Sequence, residues 1–447
     1  GALCAQVQIA FLTKVLTALV KHAIAAHDRT PHAFNQRPYL RLFGTLLFEL
    51  NTPDPLLDQM QPQSLTAFGA AFHALNPSRL PGFAFSWLEL VSHRMFMPRL
   101  LLAKNQRGWP MLQKLLVLLF TFLHPYLSGG ELSAPTRLLY RGSLRVLLVL
   151  LHDFPEFLCG YHYALCDVIP PTCIQMRNLV PSAFPRNMRL PDPFTPNLKV
   201  HRDHDLLSLS AAFTQDGGHF SQVDLLPDIT QPPRMLSAAS APLAAAGLQA
   251  DVDSFLGSRT PSNFLDQIKG RLNGRDGKPK PSLINSLVLH VGSQAVAQQS
   301  GAAQPQALAH SAPVEILQRL AVDLCAEGRY LMLNAIANQL RYPNNHTHYF
   351  SCVLLYLFVE SNDERVQEQI TRVLVERLIV HRPHPWGLLI TFIELIKNPR
   401  YNFWSKNFTR CAPEIERLFE SVARSCMAPS SGAMPSGGLG AAAAGEE

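Results

Sequence analysis

The sequence predicts an all-α protein, an irregular HEAT-like α-solenoid of antiparallel helix pairs in two halves. Three observations predict this class. Apolar residues recur at helical spacing along most of the chain, and prolines or tight loops separate the resulting segments. Alternating strand-like runs next to Asn-Gly or Asp-Gly turns are scarce. Since no internal repeat is regular, we expect HEAT-like helix pairs and not a consensus array.

The first half is predicted to contain four strongly apolar helices and then an extended segment. The helical segments cover residues 39–50, 87–102, 111–123 and 140–151. Residues 112–123 are apolar nearly all round, which predicts a position in the inner layer. Residues 181–196 carry five prolines, too many for a helix, so this stretch is predicted to be an extended ribbon.

The second half has the clearest helix signal of the chain, at residues 361–380. Ser361 and Glu364 are spaced as a capping box, an apolar stripe follows, and Pro383 prevents continuation. Further helices are predicted from about Pro313 to Gly328 and at 330–340, 348–359, 386–397 and 413–423.

The predicted domain organisation has four parts. An N-terminal helical half covers residues 1–200 and ends in the ribbon. A flexible Ala/Ser/Pro-rich linker covers 201–250, a C-terminal helical half covers 251–426, and a disordered tail covers 427–447. Within the C-terminal half, the Gln/Ala/Ser-rich stretch 292–312 is predicted to be a loop.

Composition narrows the possible functions. The 447 residues are 47% hydrophobic and only 16% charged, with a net charge of +6. An average chain has ~25% charged residues. The low charged fraction here therefore indicates that partner proteins cover part of the surface of the chain. The slight net charge and the absence of a one-signed tail do not indicate a nucleic-acid binder.

The sequence also predicts a soluble intracellular chain. The start lacks the pattern of a signal peptide, and the best apolar run, residues 115–127, is interrupted by His124 and Pro125. The eight cysteines stand mostly among apolar residues, as reduced buried cysteines do. We therefore expect no membrane association and a reducing environment.

Motifs for the commonest enzymes are absent. The chain has no phosphate-binding loop, no H-E-x-x-H, no G-x-S-x-G and no C-x-x-C. Their absence removes only the commonest enzyme classes, and we predict no enzymatic activity and no cofactor. Cys159, Cys166 and Cys173 are spaced by seven, but residues seven apart on a helix lie ~10 Å apart along its axis. Buried structural thiols are favoured over a zinc site.

Two alternatives remain from the residues alone. The first is a metal-dependent hydrolase built on His346, His348, His381 and His384, if their segments meet in space. Imidazoles that cap helix ends explain the same residues.

The second alternative is auxiliary single-stranded RNA binding by the basic ribbon, through Arg177, Arg186, Arg189 and Lys199. A proline-rich segment loses little conformational entropy on docking, so a protein–protein or intramolecular contact is favoured over RNA.

The sequence is similar to a known family at several long runs. In the first half these are HDFPEFL at 152–158, IPP at 169–171, QMRN at 175–178, AFP at 183–185 and LPDPFTPNLK at 190–199. In the second half they are EGRYL at 327–331, NAIANQLRYPN at 334–344, HTHYF at 346–350 and RPHPWGLLITFIELIKNP at 382–399. These runs resemble the C-terminal homology region of the Not-one scaffold subunit of eukaryotic Ccr–Not mRNA deadenylase complexes. The resemblance covers most of residues 35–426, while the linker, the Gln/Ala stretch and the tail look divergent.

The resemblance implies an all-α, HEAT-like, non-catalytic scaffold. It implies docking of the two Not-box subunits as a heterodimer, with adaptor proteins that recruit the deadenylase complex to mRNA. The chain would thereby support mRNA deadenylation, mRNA decay and translational repression in the cytoplasm, including mRNA-processing granules, and in the nucleus.

Two segments and one tryptophan are predicted to contact partners. The ribbon residues are Arg186, Asn187, Met188, Arg189, Leu190, Pro191, Asp192, Pro193 and Phe194. The second segment contributes Asn344, His346, His348 and Tyr349, and Trp386 is predicted to be a core or interface anchor.

Overall fold

The computed structural model describes residues 2–52, 54–129, 131–193, 198–199, 221–222, 240–301, 311–410, 416–417, 419 and 421. It confirms the all-α class. The only strands in the described part are two residues long each, Leu198–Lys199 paired in parallel with Ser221–Gln222. The tail 427–447 and most of the linker lie outside the described residues.

The first half contains nine helices among the described residues. They are α1 (Ala2–Arg29), α2 (Arg37–Glu49), α3 (Pro55–Ala74), α4 (Ala84–Val91), α5 (Met97–Leu101), α6 (Trp109–Leu127), α7 (Ala134–Asp153), α8 (Pro155–Val168) and α9 (Ile174–Leu179). Six of them, α2, α3, α5, α6, α7 and α8, have proline in the first two helical positions. Proline is favoured there because its missing N–H would have no helical partner in the first turn.

One prediction in this half was wrong in extent. Residues 87–102 do not form a single helix, because α4 ends at Val91 and α5 starts at Met97. Pro98 explains the break, since a proline inside a longer helix would remove a backbone hydrogen bond and clash with the preceding turn. At position 98 it lies in the first turn of α5, where it is tolerated.

The second half contains eight helices of eight or more residues in the described part. They are α10 (Gln249–Ser258), α11 (Phe264–Arg271), α12 (Pro281–Gly301), α13 (Ala312–Asp323), α14 (Ala326–Ala337), α15 (Asn345–Glu360), α16 (Glu364–Leu378) and α17 (Trp386–Lys397). α14 packs on both α12 and α16, and α15 packs on α12 and α17. Each helix therefore lies on neighbours that are close in sequence, as in a solenoid.

Three boundaries differ from the sequence predictions. The predicted loop 292–312 is wrong over residues 292–301, which continue α12, because Ala295 and Val296 are buried in the core. The predicted linker 201–250 is wrong near its end, where Leu243 and Leu248 are fully buried in the second core. The helix predicted at 361–380 is α16, and its cap is Asp363, whose Oδ1 accepts from the N–H of Arg365 at 2.9 Å.

The interior consists of two large apolar clusters, one for each half. The first cluster is built mainly from α1 to α9 and includes Leu119, Leu147 and Phe157, and it also takes in Tyr342 of the second half. The second is built from residues 243–419 and includes Phe350 and Leu354. The two clusters share no residue, and Tyr342 carries the first cluster across the boundary between the halves.

Two helices are long and apolar enough to span a membrane by length and composition alone, Gln6–Arg29 and Trp109–Leu127. The apolar run predicted at residues 115–127 is shorter than this second helix, which begins at Trp109. In the fold, Leu115 and Leu119 of this helix are fully buried in the first core. These leucines therefore pack inside the fold of the chain.

Candidate partner-binding site

The ribbon, defined here as residues 185–193, crosses from the first half to the second. At its start the backbone N–H of Arg186 donates to Glu156 Oε1 of α8 at 3.0 Å. Met188 is buried in the first core. Further along, Leu190 packs against Trp386 and Ile390 of α17.

Trp386 fixes the far end of the ribbon. Its indole N–H donates to the carbonyl oxygen of Pro191 at 2.8 Å, and the side chain is only 4% exposed. Trp386 is therefore an anchor inside the chain, on the second half, for a segment that leaves the first half.

The outer side of the ribbon carries polar side chains. Arg186, Asn187, Arg189 and Asp192 are exposed, while Leu190, Pro191 and Pro193 are half-buried. Phe194 lies outside the described residues. The ribbon thus has an inner face that docks within the chain and an outer face that remains accessible.

The second predicted contact segment, residues 344–349, is mostly interior. Asn344 is fully buried and caps α15, since its Oδ1 accepts from the N–H of Thr347 at 2.9 Å. His346 and Tyr349 are buried as well, and burial raises the pKa of the Tyr349 hydroxyl. Among the predicted contact residues of this segment, only His348 is half-exposed. Partner contact through this segment stays a prediction, and the fold gives Asn344, His346 and Tyr349 structural positions.

The four-histidine metal site is wrong for this fold. Among the described residues, no group of three or more His, Cys, Asp or Glu side chains is placed to hold a metal ion. His346 Nε2 instead lies 3.4 Å from Ser293 Oγ, and His348 Nε2 lies 3.9 Å from Cys352 Sγ. Burial lowers the pKa of His384, and the charge of Arg382 adds to this effect. The same search covers the cysteines, of which Cys159 and Cys166 are buried and form no disulfide.

The basic set proposed for RNA is divided by the fold. Arg186 and Arg189 are exposed on the ribbon, but Arg177 is 3% exposed and donates to the carbonyl of Ile169. Arg177 as an RNA contact is therefore wrong, because its guanidinium is used inside the chain. The side chain of Lys199 lies outside the described residues.

A polar junction between the halves was not predicted from the sequence. Asp167 of α8 accepts from Ser282 Oγ at 2.9 Å and from Asn285 Nδ2 at 2.8 Å, both of α12. Tyr163 pairs with Ser286 through their hydroxyls at 2.7 Å. A helix of the first half is thus bound to a helix of the second by side-chain hydrogen bonds.

The junction continues along α9 and α16. Asn178 Nδ2 donates to the carbonyl of Arg377 at 2.7 Å, and Gln175 Nε2 donates to the carbonyl of His381 at 3.0 Å. His162 Nε2 lies 3.1 Å from Gln339 Oε1 in a fully buried contact. The sequence offers one signal for this junction, a polar residue inside an apolar run, such as His162 in α8. A polar group that is buried requires a hydrogen-bond partner, so such a residue indicates a contact with another part of the chain.

Two arginine side chains are buried at the junction between the halves. Arg177 and Arg377 are nearly fully buried, and desolvation lowers the pKa of each. For Arg377 desolvation, with further repulsion from Arg177, lowers the pKa to about 9. Arg377 Nη2 donates to Asn338 Oδ1 at 2.7 Å and to Asn334 Oδ1 at 3.0 Å, so neutral amides and not carboxylates hold it.

Known proteins resemble this chain over nearly its whole length. The family described as "CCR4-Not complex component, Not1" matches residues 47–216 and 212–423. The CCR4-NOT transcription complex subunit let-711 of Caenorhabditis elegans is 44% identical over 96% of the chain. The general negative regulator of transcription subunit 1 of Schizosaccharomyces pombe is 35% identical over 94% of it. The chain spans 16% and 19%, respectively, of the length of these curated relatives.

Solved structures show the same fold. The NOT1 superfamily homology domain from Chaetomium thermophilum has a TM-score of 0.78 and 30% identity, over 94% of this chain and 81% of that one. A Not1 C-terminal domain in complex with Not4 has a TM-score of 0.73 and 28% identity, over 93% of this chain and 82% of that one. The chain therefore belongs to the Not1 family of CCR4-Not complex components.

Proposed function

We propose that this chain is a non-catalytic scaffold module of a Ccr–Not complex, which docks the two Not-box subunits as a heterodimer. Through this role it supports mRNA deadenylation, mRNA decay and translational repression, in the cytoplasm and the nucleus. Adaptor proteins that bring the complex to mRNA are further partners in this proposal.

The observation that carries the proposal is the two-faced ribbon. Its inner face is held by Trp386 and the first core, so its backbone is fixed before any partner arrives. Its outer face presents Arg186, Asn187, Arg189 and Asp192. A pre-ordered segment loses little entropy on binding, which favours its use as a contact surface. The related Not1 C-terminal domain in complex with Not4 supports a docking role for this fold.

Co-expression with the two Not-box subunits tests the proposal. We expect a ternary complex that stays together on a sizing column, and elution of the chain apart from both subunits would contradict it. The double variant Arg186→Glu/Arg189→Glu is expected to weaken the complex at least tenfold, since it reverses two exposed charges of the outer face.

A matched variant controls for net charge. Arg275→Glu/Lys278→Glu makes the same change in an exposed turn of the second half and should leave the affinity unchanged. If both double variants weaken the complex equally, the ribbon is not the contact surface, whereas the docking function itself would stand.

Auxiliary single-stranded RNA binding by Arg186 and Arg189 is a second proposal, supported only by their exposure. It predicts an affinity that falls steeply with salt and that the same ribbon variant lowers. Equal RNA binding by Arg186→Glu/Arg189→Glu and the parent would contradict it.

A further inference from the structure

The outward face of α7 combines positive charge with apolar surface. Arg137, Arg141 and Arg145 follow at intervals of four residues, and all three are exposed. Leu138, Leu148 and Val149 on the same helix are 61%, 46% and 41% exposed. At ~100° per residue these six side chains fall within one sector of about 120°, and they extend over about 18 Å of the helix. We call this set the α7 stripe.

The opposite face of α7 accounts for the packing of the helix. Leu139, Val146, Leu147 and Leu150 are buried in the first core. The stripe therefore does not serve the fold. Single exposed apolar residues are ordinary on a protein surface, but three on one side of a helix beside three arginines form a patch.

The arginines of the stripe have no acidic partner within the described part of the chain. Arg137 donates weakly to the carbonyl of Leu132 at 3.5 Å, and no ion pair involves Arg137, Arg141 or Arg145. The contrast is α16, where Arg372 pairs with Glu376 at spacing i,i+4.

The arrangement costs stability in the free chain. Like charges at spacing i,i+4 repel each other on a helix surface, and the stripe has two such pairs. Arg137 also lies near the positive N-terminal end of α7, whose first turn has no acidic residue. An anionic partner with apolar side chains would remove both costs and cover the leucines.

We propose that the α7 stripe docks an acidic amphipathic helix of a partner protein, with its carboxylates on the arginines and its apolar residues on Leu138, Leu148 and Val149. Charge complementarity selects the acidic partner, and the aliphatic surface selects a protein segment. Single-stranded RNA fits less well, because its bases stack on aromatic side chains and the stripe has none. The stripe shares no residue with the ribbon, so its variants test a surface that the ribbon variants leave unchanged.

The test uses a fluorescent helical peptide of about 18 residues, long enough to cover the stripe. It carries glutamates at spacing i,i+4,i+8 beside a leucine face, and a matched peptide has lysine in place of each glutamate. We expect the acidic peptide to bind the full chain, more weakly at high salt. The lysine peptide and an oligouridine RNA should bind at least tenfold more weakly.

Two variants locate the site. Arg137→Glu/Arg141→Glu/Arg145→Glu and, separately, Leu138→Ser/Leu148→Ser/Val149→Ser should each lower the affinity at least tenfold. The control Lys14→Glu/Lys21→Glu/Arg29→Glu makes the same charge change on exposed positions of α1 and should leave the affinity unchanged.

The single variant Arg141→Glu separates binding from folding. It replaces two repulsive i,i+4 pairs by two attractive ones, so its Tm should equal or exceed that of the parent while its peptide affinity falls. Any one of four results would overturn the proposal. The acidic peptide does not bind, the lysine peptide binds equally well, the chain prefers RNA, or the α1 control loses binding. Self-association of the chain that Arg141→Glu abolishes would also overturn it, since the occupant would then be a second copy.

Discussion

The core of each half and the junction between the halves are built from different side chains. The cores are aliphatic and aromatic, with residues such as Leu147 and Leu354 fully buried among their own kind. The junction buries Asn178, Arg177 and Arg377 and is held by hydrogen bonds. Apolar burial is non-directional, whereas hydrogen bonds require one geometry. The cores therefore stabilise each half, and the junction fixes how the halves meet.

The largest expected effect comes from opening a cavity in a core. Leu147→Ala in the first core and Leu354→Ala in the second should each lower the free energy of unfolding by about 2–5 kcal/mol, because packing around the lost atoms relaxes only partly. Urea unfolding followed by circular dichroism measures this. Leu138→Ala is the control, since Leu138 is exposed and its loss should cost within about 0.5 kcal/mol. Equal effects at all three positions would contradict the separate cores.

An intermediate effect is expected at Gly387, where α17 meets residues 341–347. A Cβ atom there would lie 2.4 Å from Thr347 Cγ2 and 2.8 Å from the carbonyl oxygen of Arg341. Gly387→Ala should therefore lower the free energy of unfolding by about 1–3 kcal/mol in the same urea experiment. Gly270→Ala in α11 is the matched control, because nothing lies within 4 Å of its Cβ position and alanine favours a helix. A neutral Gly387→Ala would show that this contact can relax.

The junction should give a pH dependence that the cores lack. The pKa of Arg377 is about 9 in the fold, below the usual value of arginine in the unfolded chain. Above about pH 9 the folded state binds fewer protons, so the free energy of unfolding from this group rises with pH, by at most ~1.4 kcal/mol per pH unit. Below pH 9 both states are protonated and the cost of the buried charge is fully present.

Thermal melts between about pH 8 and pH 10 measure this rise. The upper limit is set by tyrosines such as Tyr140, whose pKa is raised to about 12 by burial. Unfolded tyrosines ionise from about pH 10, so buried ones oppose the rise above that pH. Arg377→Met should be less stable, because Asn334 and Asn338 lose their donor, and its stability should lack the rise. A rise of equal size in Arg377→Met would assign it to another group.

The smallest effect is expected from the contact between Trp386 and the ribbon. Trp386→Phe removes the donor to the Pro191 carbonyl and should cost about 1 kcal/mol. Because the ribbon is then less well held, trypsin should cleave faster at Arg186 and Arg189. Trp404→Phe removes a similar bond, to the carbonyl of Ile396 at 3.0 Å, within the second half. It should leave ribbon cleavage unchanged, and equal acceleration in both variants would contradict a local effect.

The sequence was informative where periodicity and proline decide the structure. Helical spacing predicted α16 and α17, and the prolines predicted an extended ribbon. It was less informative where packing outweighs composition. Residues 292–301 were predicted to be a loop because of their Gln- and Ala-rich composition. Glutamine and alanine are nevertheless good helix formers, and the burial of Ala295 and Val296 extends α12 through this stretch.

The candidate site was harder to predict than the fold because exposure is a tertiary property. Asn344 and His346 are polar, which suggested a surface, but Asn344 is buried as a helix cap and His346 beside Ser293. Arg177 suggested a phosphate contact, and its guanidinium is interior. The hydrogen-bond partners of buried polar side chains can be far away in sequence, as Gln339 is from His162. Local sequence patterns do not reveal such pairs.

The indole N–H of Trp386 donates its hydrogen bond to a backbone carbonyl of the ribbon and not to a side chain. Every residue type has such a carbonyl, so this hydrogen bond does not depend on which side chain occupies position 191. Mutations on the outer face of the ribbon can therefore accumulate without weakening its attachment to the second half. The chain can change what it recognises there while keeping its shape.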